Sequence, residues 1–126
     1  MPQTRTSTSM KVIIAGSRTF TNLTDEYLDS ITEKSDFVIT EVVCGYAPGV
    51  DMAGESWADT NMIPVKHFKP DWELYGNYAG PLRNRKMAVY GDALILIWDG
   101  SSKGSQSMKN EMKKLNKPIY EVLVKV

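Results

Sequence analysis

The residues able to do chemistry gather in four short stretches rich in glycine, serine and charge. The first is Gly16-Ser17-Arg18-Thr19. Gly16 lets the backbone approach a ligand closely. Ser17 offers a hydroxyl, and Arg18 a permanent planar cation suited to phosphate. The second is Gly45-Tyr46-Ala47-Pro48-Gly49-Val50-Asp51. Two glycines four apart open a predicted helix whose first turn carries Asp51. Backbone N–H groups at a helix start attract anions. A carboxylate in that turn either caps the helix or accepts from ribose hydroxyls. The third stretch holds Asp71-Trp72-Glu73-Leu74-Tyr75-Gly76 and then Ala79-Gly80-Pro81-Leu82-Arg83-Asn84. Trp72 and Tyr75 fall in a predicted loop, where an aromatic ring either stacks on a base or packs the loop onto the domain. Pro81 pre-sets a first helical turn, which puts Arg83 and Asn84 at a helix start. The fourth is Asp99-Gly100-Ser101-Ser102-Lys103-Gly104-Ser105. Glycine, serine and lysine before a helix have the composition of a phosphate cradle, although the spacing is not that of a P-loop.

Other chemistries find little support. His67 is the only histidine and Cys44 the only cysteine, so no metal site and no cofactor are expected. His67, beside Phe68 in a predicted strand, reads as structural, and no nucleophile elbow accompanies it. Cys44 ends the run Val42-Val43 and reads as a small buried hydrophobe. A lone cysteine forms no intramolecular disulfide, which fits a reducing, cytoplasmic setting. Lys103, Lys109, Lys113, Lys114 and Lys117 flank the last predicted helix and read as a solvated face. The last three complement its C-terminal dipole.

The elements that must position these stretches alternate along the chain. Strands are predicted over residues 11–15, 37–44, 65–68, 92–98 and 118–124, and helices over 24–34, 50–61, 82–90 and 105–115. Residues 70–80 read as an aromatic loop. Leu28 and Ile31 share one helical face; so do Val50, Ala53, Trp57 and Ala58, and so do Met108, Met112 and Leu115. The strands at 11, 38 and 92 are continuously apolar, the mark of strands buried on both faces. The expectation is α/β: a doubly wound, mostly parallel five-stranded sheet with helices on both faces. Right-handed crossovers then bring all four stretches to the carboxyl edge of the sheet, where such sheets bind ligands.

The 126 residues fit a single domain, expected over 10–126 behind a disordered polar tail at 1–9. That start lacks the apolar stretch of a signal peptide. The longest apolar run is too short to span a bilayer, so no membrane partner is expected. Fifteen Lys and Arg balance fifteen Asp and Glu, which argues against nucleic acid as the main partner.

The ordered set Gly16-Ser17-Arg18, Gly45-x3-Gly49-Val50-Asp51, Asp71-Trp72-x2-Tyr75-Gly76, Ala79-Gly80-Pro81-x-Arg83-Asn84-x2-Met87 and Asp99-Gly100-x-Ser102-x-Gly104 resembles the YspA-like family. That family lies in the SLOG superfamily, named for the Smf/DprA and LOG proteins. The resemblance covers about residues 11–124. It implies a Rossmann-like fold, a pocket for a nucleotide or nucleotide derivative, and self-association into a dimer or larger assembly. LOG enzymes cleave the N-glycosidic bond of nucleoside monophosphates with an arginine and a glutamate. Arg83 matches that arginine, and Gly104-Ser105 match the Gly-Thr pair of the LOG loop. The glutamate position is Met108, with Glu111 one turn further on. An N-glycosidase needs a carboxylate, and Asp51 and Asp99 are the candidates here. The segment from Gly45 to Asp51 also resembles the DprA phosphate loop.

The resulting expectation is a non-catalytic sensor or sequestering protein, of the kind phages use against nucleotide-signalling defences. Its ligand would be an ADP-ribose derivative, a cyclic ADP-ribose isomer or a cyclic nucleotide. Arg18, Arg83 and the turns at Gly45 and Gly104 would hold phosphate, Asp51 ribose, and Trp72 or Tyr75 the base. The alternatives are a LOG-like N-glycosidase and a DprA-like binder of single-stranded DNA.

Overall fold

Six consecutive apolar residues, Ala93–Trp98, form an inner strand, and all six are buried. Successive side chains of a strand point to opposite faces, so both faces of the sheet must be covered. The computed structural model describes residues 9–125 and shows both covers. In chain order the elements are β1 (Ser9–Gly16), α1 (Asp25–Ser35), β2 (Val38–Cys44), α2 (Val50–Thr60), β3 (Val65–His67), α3 (Trp72–Tyr75), a 3₁₀ turn (Gly76–Tyr78), α4 (Ala79–Tyr90), β4 (Ala93–Trp98), α5 (Lys103–Lys114) and β5 (Ile119–Leu123). The strands lie in the order β3-β2-β1-β4-β5, and every pairing is parallel. This is the expected doubly wound, Rossmann-like α/β sheet.

Alternation along the strands sorts the core into two layers. On one face Val12, Ile14, Val42, Ile95 and Ile97 pack against Leu28 and Ile31 of α1 and Val50, Trp57 and Ala58 of α2. On the other, Ile13, Val43, Leu94 and Leu96 meet Met87 and Ala88 of α4 and Met108 and Met112 of α5. Each fully buried Ile or Leu contributes about 1.5–3 kcal/mol relative to exposure. Cys44 is buried in the first layer, and burial pushes its thiol pKa up, so it behaves as a hydrophobe. Thr24 caps α1 by accepting from the Tyr27 N–H at 3.1 Å.

Several expectations are corrected. The loop expected at 70–80 is α3, the 3₁₀ turn and the start of α4. Asp71 nucleates it by accepting from the Leu74 N–H at 3.1 Å. Pro81 is tolerated in the first turn of α4 because N–H groups there have no partner within the helix. Arg83 and Asn84 therefore stand in the second turn, not at the helix start. Leu115 falls at the C-cap of α5 and is exposed, so that helix's apolar stripe ends at Met112. The Lys117 backbone N–H closes the end of α5 by donating to the Met112 carbonyl at 3.1 Å, but its ammonium serves another helix. Its Nζ donates to the carbonyls of Ala88, Val89 and Gly91 at 2.7–3.0 Å and so closes the C-terminus of α4. The tail expected at 1–9 lies outside the described residues except for Ser9, which opens β1. Among the described residues, no helix is long and apolar enough to cross a membrane.

Candidate ligand-binding site

The chain runs outward from β1 to β2 and β3, then crosses back to β4. Where strand order reverses in this way, a crevice opens beyond the carboxyl ends of the two central strands. Gly16 ends β1 and Trp98 ends β4, so residues 16–19 and 99–105 flank that crevice. Residues 45–51 and 69–81 follow β2 and β3 onto the same edge.

The crevice has two levels. Tyr46, Pro48, Lys69, Trp72 and Lys103 line an outer cleft of about 490 Å³. Gly16, Asp51, Met87, Ser102, Ser105 and Met108 line an inner recess of about 180 Å³. Arg18, Ala47, Arg83, Asn84 and Gly104 line both levels and form the throat.

Asp51 is only 6% exposed. Burial pushes its pKa up to about 6, against the opposing pull of Arg83, the N–H groups of Ala47 and Gly45, and Arg18. The Asp51 carboxylate lies beside Gly45, within the reach of the Gly45 and Ala47 N–H groups that favour its charged form. The glycines have definite tasks. A side chain at Gly45 would collide with the Arg83 guanidinium and the Asp51 carboxylate. Gly49 holds φ at +78°, where a Cβ would strike the carbonyls of Ser17 and Arg18. The Val50 N–H donates to the Ser17 carbonyl at 3.3 Å, which ties the second stretch to the first.

Arg83 is half-buried. Its Nε donates to Asn84 Oδ1 at 2.9 Å. Asn84 is buried, and its Nδ2 donates to the Gly104 carbonyl and to Ser107 Oγ, both at 3.3 Å. Asn84 thus pins α4 to the start of α5 and aims the guanidinium. Burial draws the Arg83 pKa down, while Asp51 raises it and Arg18 lowers it. Arg18 and Arg83 both act electrostatically on the one carboxylate of Asp51, and two guanidiniums beside one carboxylate make the throat cationic.

Ser102 caps α5, its Oγ accepting from the Ser105 N–H at 3.4 Å. Ser105 Oγ is itself buried and has no hydrogen-bond partner among the described residues. A buried hydroxyl left unpaired costs about 1–3 kcal/mol. It lies on the recess at the N-terminus of a helix, where the dipole favours an anion.

Other predicted site residues lie elsewhere. Tyr75 lines a small hollow with Phe68, Leu82 and Lys86, not the main cleft. Ser17 is buried, and its Oγ accepts from the Asp99 N–H at 3.4 Å. The Asp99 carboxylate accepts from the N–H and Oγ of Ser101 at 2.9 and 3.0 Å. Those bonds hold its pKa down, and it lines neither level of the crevice. Gly100, at φ +90°, sits near Leu123 in the same outer turn. Met108 lines the recess at the position of the LOG glutamate. Glu111 is paired with Arg85 at 3.6 Å and Lys114 at 3.5 Å and lines neither level of the crevice.

Sequence reasoning passed over Tyr46, Lys69 and Lys103 as site residues. Each directly follows or sits within a turn at the carboxyl edge, and that position was the available signal.

A family model described as the YspA, cpYpsA-related SLOG family matches residues 10–75. The Gene 61 protein of Mycobacterium phage D29 is 32% identical over 119 residues, covering 86% of this chain and 93% of that protein. Among solved structures, DNA processing protein A (DprA) from Streptococcus pneumoniae matches with a TM-score of 0.72 at 14% identity, over 92% of this chain. The chain spans about half of that protein, 51% of its length, and the likeness concerns the fold.

Proposed function

The chain belongs to the YspA, cpYpsA-related SLOG family, and from that premise we propose that it binds a nucleotide-derived small molecule in the two-level crevice. The observation that carries this reading is the buried, unpartnered hydroxyl of Ser105, set at a helix N-terminus on a recess that Arg83 also lines. An anionic phosphate satisfies all three at once: it accepts from Ser105 Oγ, complements the α5 dipole and pairs with Arg83. Arg18 adds charge at the throat. Asp51 accepts from ribose hydroxyls, and Trp72 covers the base in the outer cleft.

The ligand class that fits both levels is an ADP-ribose derivative, a cyclic ADP-ribose isomer or a cyclic nucleotide. The role we favour is sensing or sequestration. Met108 stands where a LOG enzyme has its acid, and the Gene 61 relative belongs to a phage, which supports an anti-defence sponge. Self-association is part of the proposal. Leu74 and Tyr78 leave exposed apolar surface near α4, and light scattering tests it. Single-stranded DNA binding has the fold likeness and the resemblance of the Gly45–Asp51 segment to the DprA phosphate loop behind it, against a balanced charge.

One observation favours a second reading. Asp51 is a recess carboxyl whose pKa is pushed up to about 6, a value suited to proton transfer near neutral pH. As an N-glycosidase the protein would add water at C1′ of the ribose, and the base would leave with a proton. Incubation with a panel of nucleotides, NAD and cyclic derivatives, followed by ultrafiltration, denaturation and mass spectrometry, separates the two. A ligand retained and then released intact supports binding. Recovery of free base, abolished in Asp51→Asn, supports cleavage. No retention and no cleavage across the panel contradicts both.

A further inference from the structure

Tyr46 is 57% exposed and Trp72 54% exposed. Exposed aromatic rings are common singly, but these two line the same outer cleft from different elements. Tyr46 comes from the turn after β2, and Trp72 opens α3. Neither ring is loose. The Tyr46 ring lies 5.1 Å from the His67 imidazole, centroid to centroid, at an interplanar angle of 34°. His67 Nε2 is in turn 2.9 Å from Glu55 Oε1 on α2. The Trp72 ring rests over Gly80, where a Cβ would meet Cη2 at 3.7 Å, an ordinary van der Waals contact.

The histidine that reads from sequence as merely structural thus has a specific neighbour. It bridges α2 and β3 to a ring on the cleft wall. Glu55 orients the imidazole through one nitrogen, and the imidazole backs the phenol ring. The same cleft is also lined by Pro48, Pro70 and Pro81. This surface is apolar and rigid, and suited to the face of a planar ring. Charge is confined to the throat and the rim, at Arg18, Arg83, Lys69 and Lys103.

We infer that Tyr46 and Trp72 together form the base-recognition surface of the outer cleft, with His67 and Glu55 as positioning residues for Tyr46. This inference rests on the proposed nucleotide-binding reading and deepens it. The outer level selects for a ligand that carries an aromatic base and discriminates against a bare sugar phosphate. The phenol hydroxyl has no part in this, because the ring face supplies the contact.

The test uses two probes that differ only by the base: AMP and ribose 5-phosphate. Stacking of a base on an aromatic side chain is worth roughly 5- to 150-fold in affinity. Calorimetric titration of the full chain is therefore expected to show AMP binding at least tenfold more tightly than ribose 5-phosphate. Tyr46→Leu and Trp72→Leu each lower AMP affinity by about tenfold and leave ribose 5-phosphate within twofold. Tyr46→Phe retains AMP affinity. His67→Ala lowers the AMP preference by a few-fold, and combining it with Tyr46→Leu adds nothing further. Equal affinity for the two probes overturns the inference while leaving the anion site standing. So does a Tyr46→Leu variant that weakens both probes alike, or a Tyr46→Phe variant as weak as Tyr46→Leu. Failure of both probes to bind overturns the nucleotide reading itself. Both rings are largely exposed, so the leucine variants are expected to melt with the parent.

Discussion

Replacing Asp51 by asparagine should stabilise the unliganded protein at alkaline pH and have almost no effect in acid. The carboxyl lies at an ordinary 3.8 when unfolded and at about 6 in the fold, chiefly because burial disfavours the charged form. Between those values the folded chain holds the proton more tightly than the unfolded chain. Stability therefore falls as pH rises from about 4 to about 6, and the full penalty persists above that window. At 1.36 kcal/mol per tenfold, the ionised form costs roughly 3 kcal/mol of folding free energy. That figure already includes the compensation from Arg83, the Ala47 and Gly45 N–H groups and Arg18, which the raised value shows to be incomplete. The substituted side chain would carry no charge, although its amide group can present only one oxygen to those donors. For a domain of this size a gain of that magnitude at pH 8 corresponds to a melting temperature higher by roughly 10 °C. Paired thermal melts of the two proteins at pH 8 and pH 4 measure it. An Asp51→Asn variant less stable than the parent at pH 8, or an offset that does not change with pH, refutes the reasoning. Either result would mean that the carboxylate's hydrogen bonds outweigh its desolvation.

Ser105→Ala removes the buried hydroxyl that has no partner among the described residues. It should leave the unliganded protein as stable as before, or stabler by about 1 kcal/mol, and weaken phosphate-bearing ligands by about three- to tenfold; denaturation and calorimetry read the two effects separately. Lys117→Met strands the three carbonyls at the end of α4 and should cost about 1.5–3 kcal/mol in urea denaturation with ligand affinity unchanged. The pH dependence of ligand affinity should also differ between the parent and Asp51→Asn. A bound anion raises the Asp51 pKa further, so binding by the parent takes up protons and strengthens as pH falls from 8 to 6. The variant isolates that contribution from the ligand's own titration, and calorimetry in buffers of different ionisation enthalpy measures it.

Much of the fold was legible because its strands are continuous apolar runs. Ala93–Trp98 has no polar residue to suggest a solvent face, and the parallel sheet follows from that. Helix faces were legible where the apolar period ran over more than two turns, as at Val50, Trp57 and Ala58. The segment 71–78 was not, because a four-residue helix with exposed rings has no periodicity. Its one local signal is Asp71, capping Leu74. That the glycine-rich turns share one edge was legible too, since turns that follow parallel strands must do so. The division of labour within it was not. Asp51 and the 45–49 turn could each have faced a ligand, and only the fold shows that they face one another. Asp99 looked equivalent to Asp51 in sequence, yet the Ser101 hydroxyl and N–H hold it in its own turn. Tyr46 stood within a recognised motif and was passed over. Its ring contact is with His67 on β3, twenty-one positions further along the chain, and no local pattern announces it.

The most direct test of the account is a calorimetric titration of ADP into the parent protein and into Arg83→Ala. Arg83 lines both levels of the crevice and is aimed by Asn84. Binding by the parent, at least tenfold weaker binding by the variant, and melting temperatures that agree within a few degrees are expected. Equal affinity in the two proteins would contradict it.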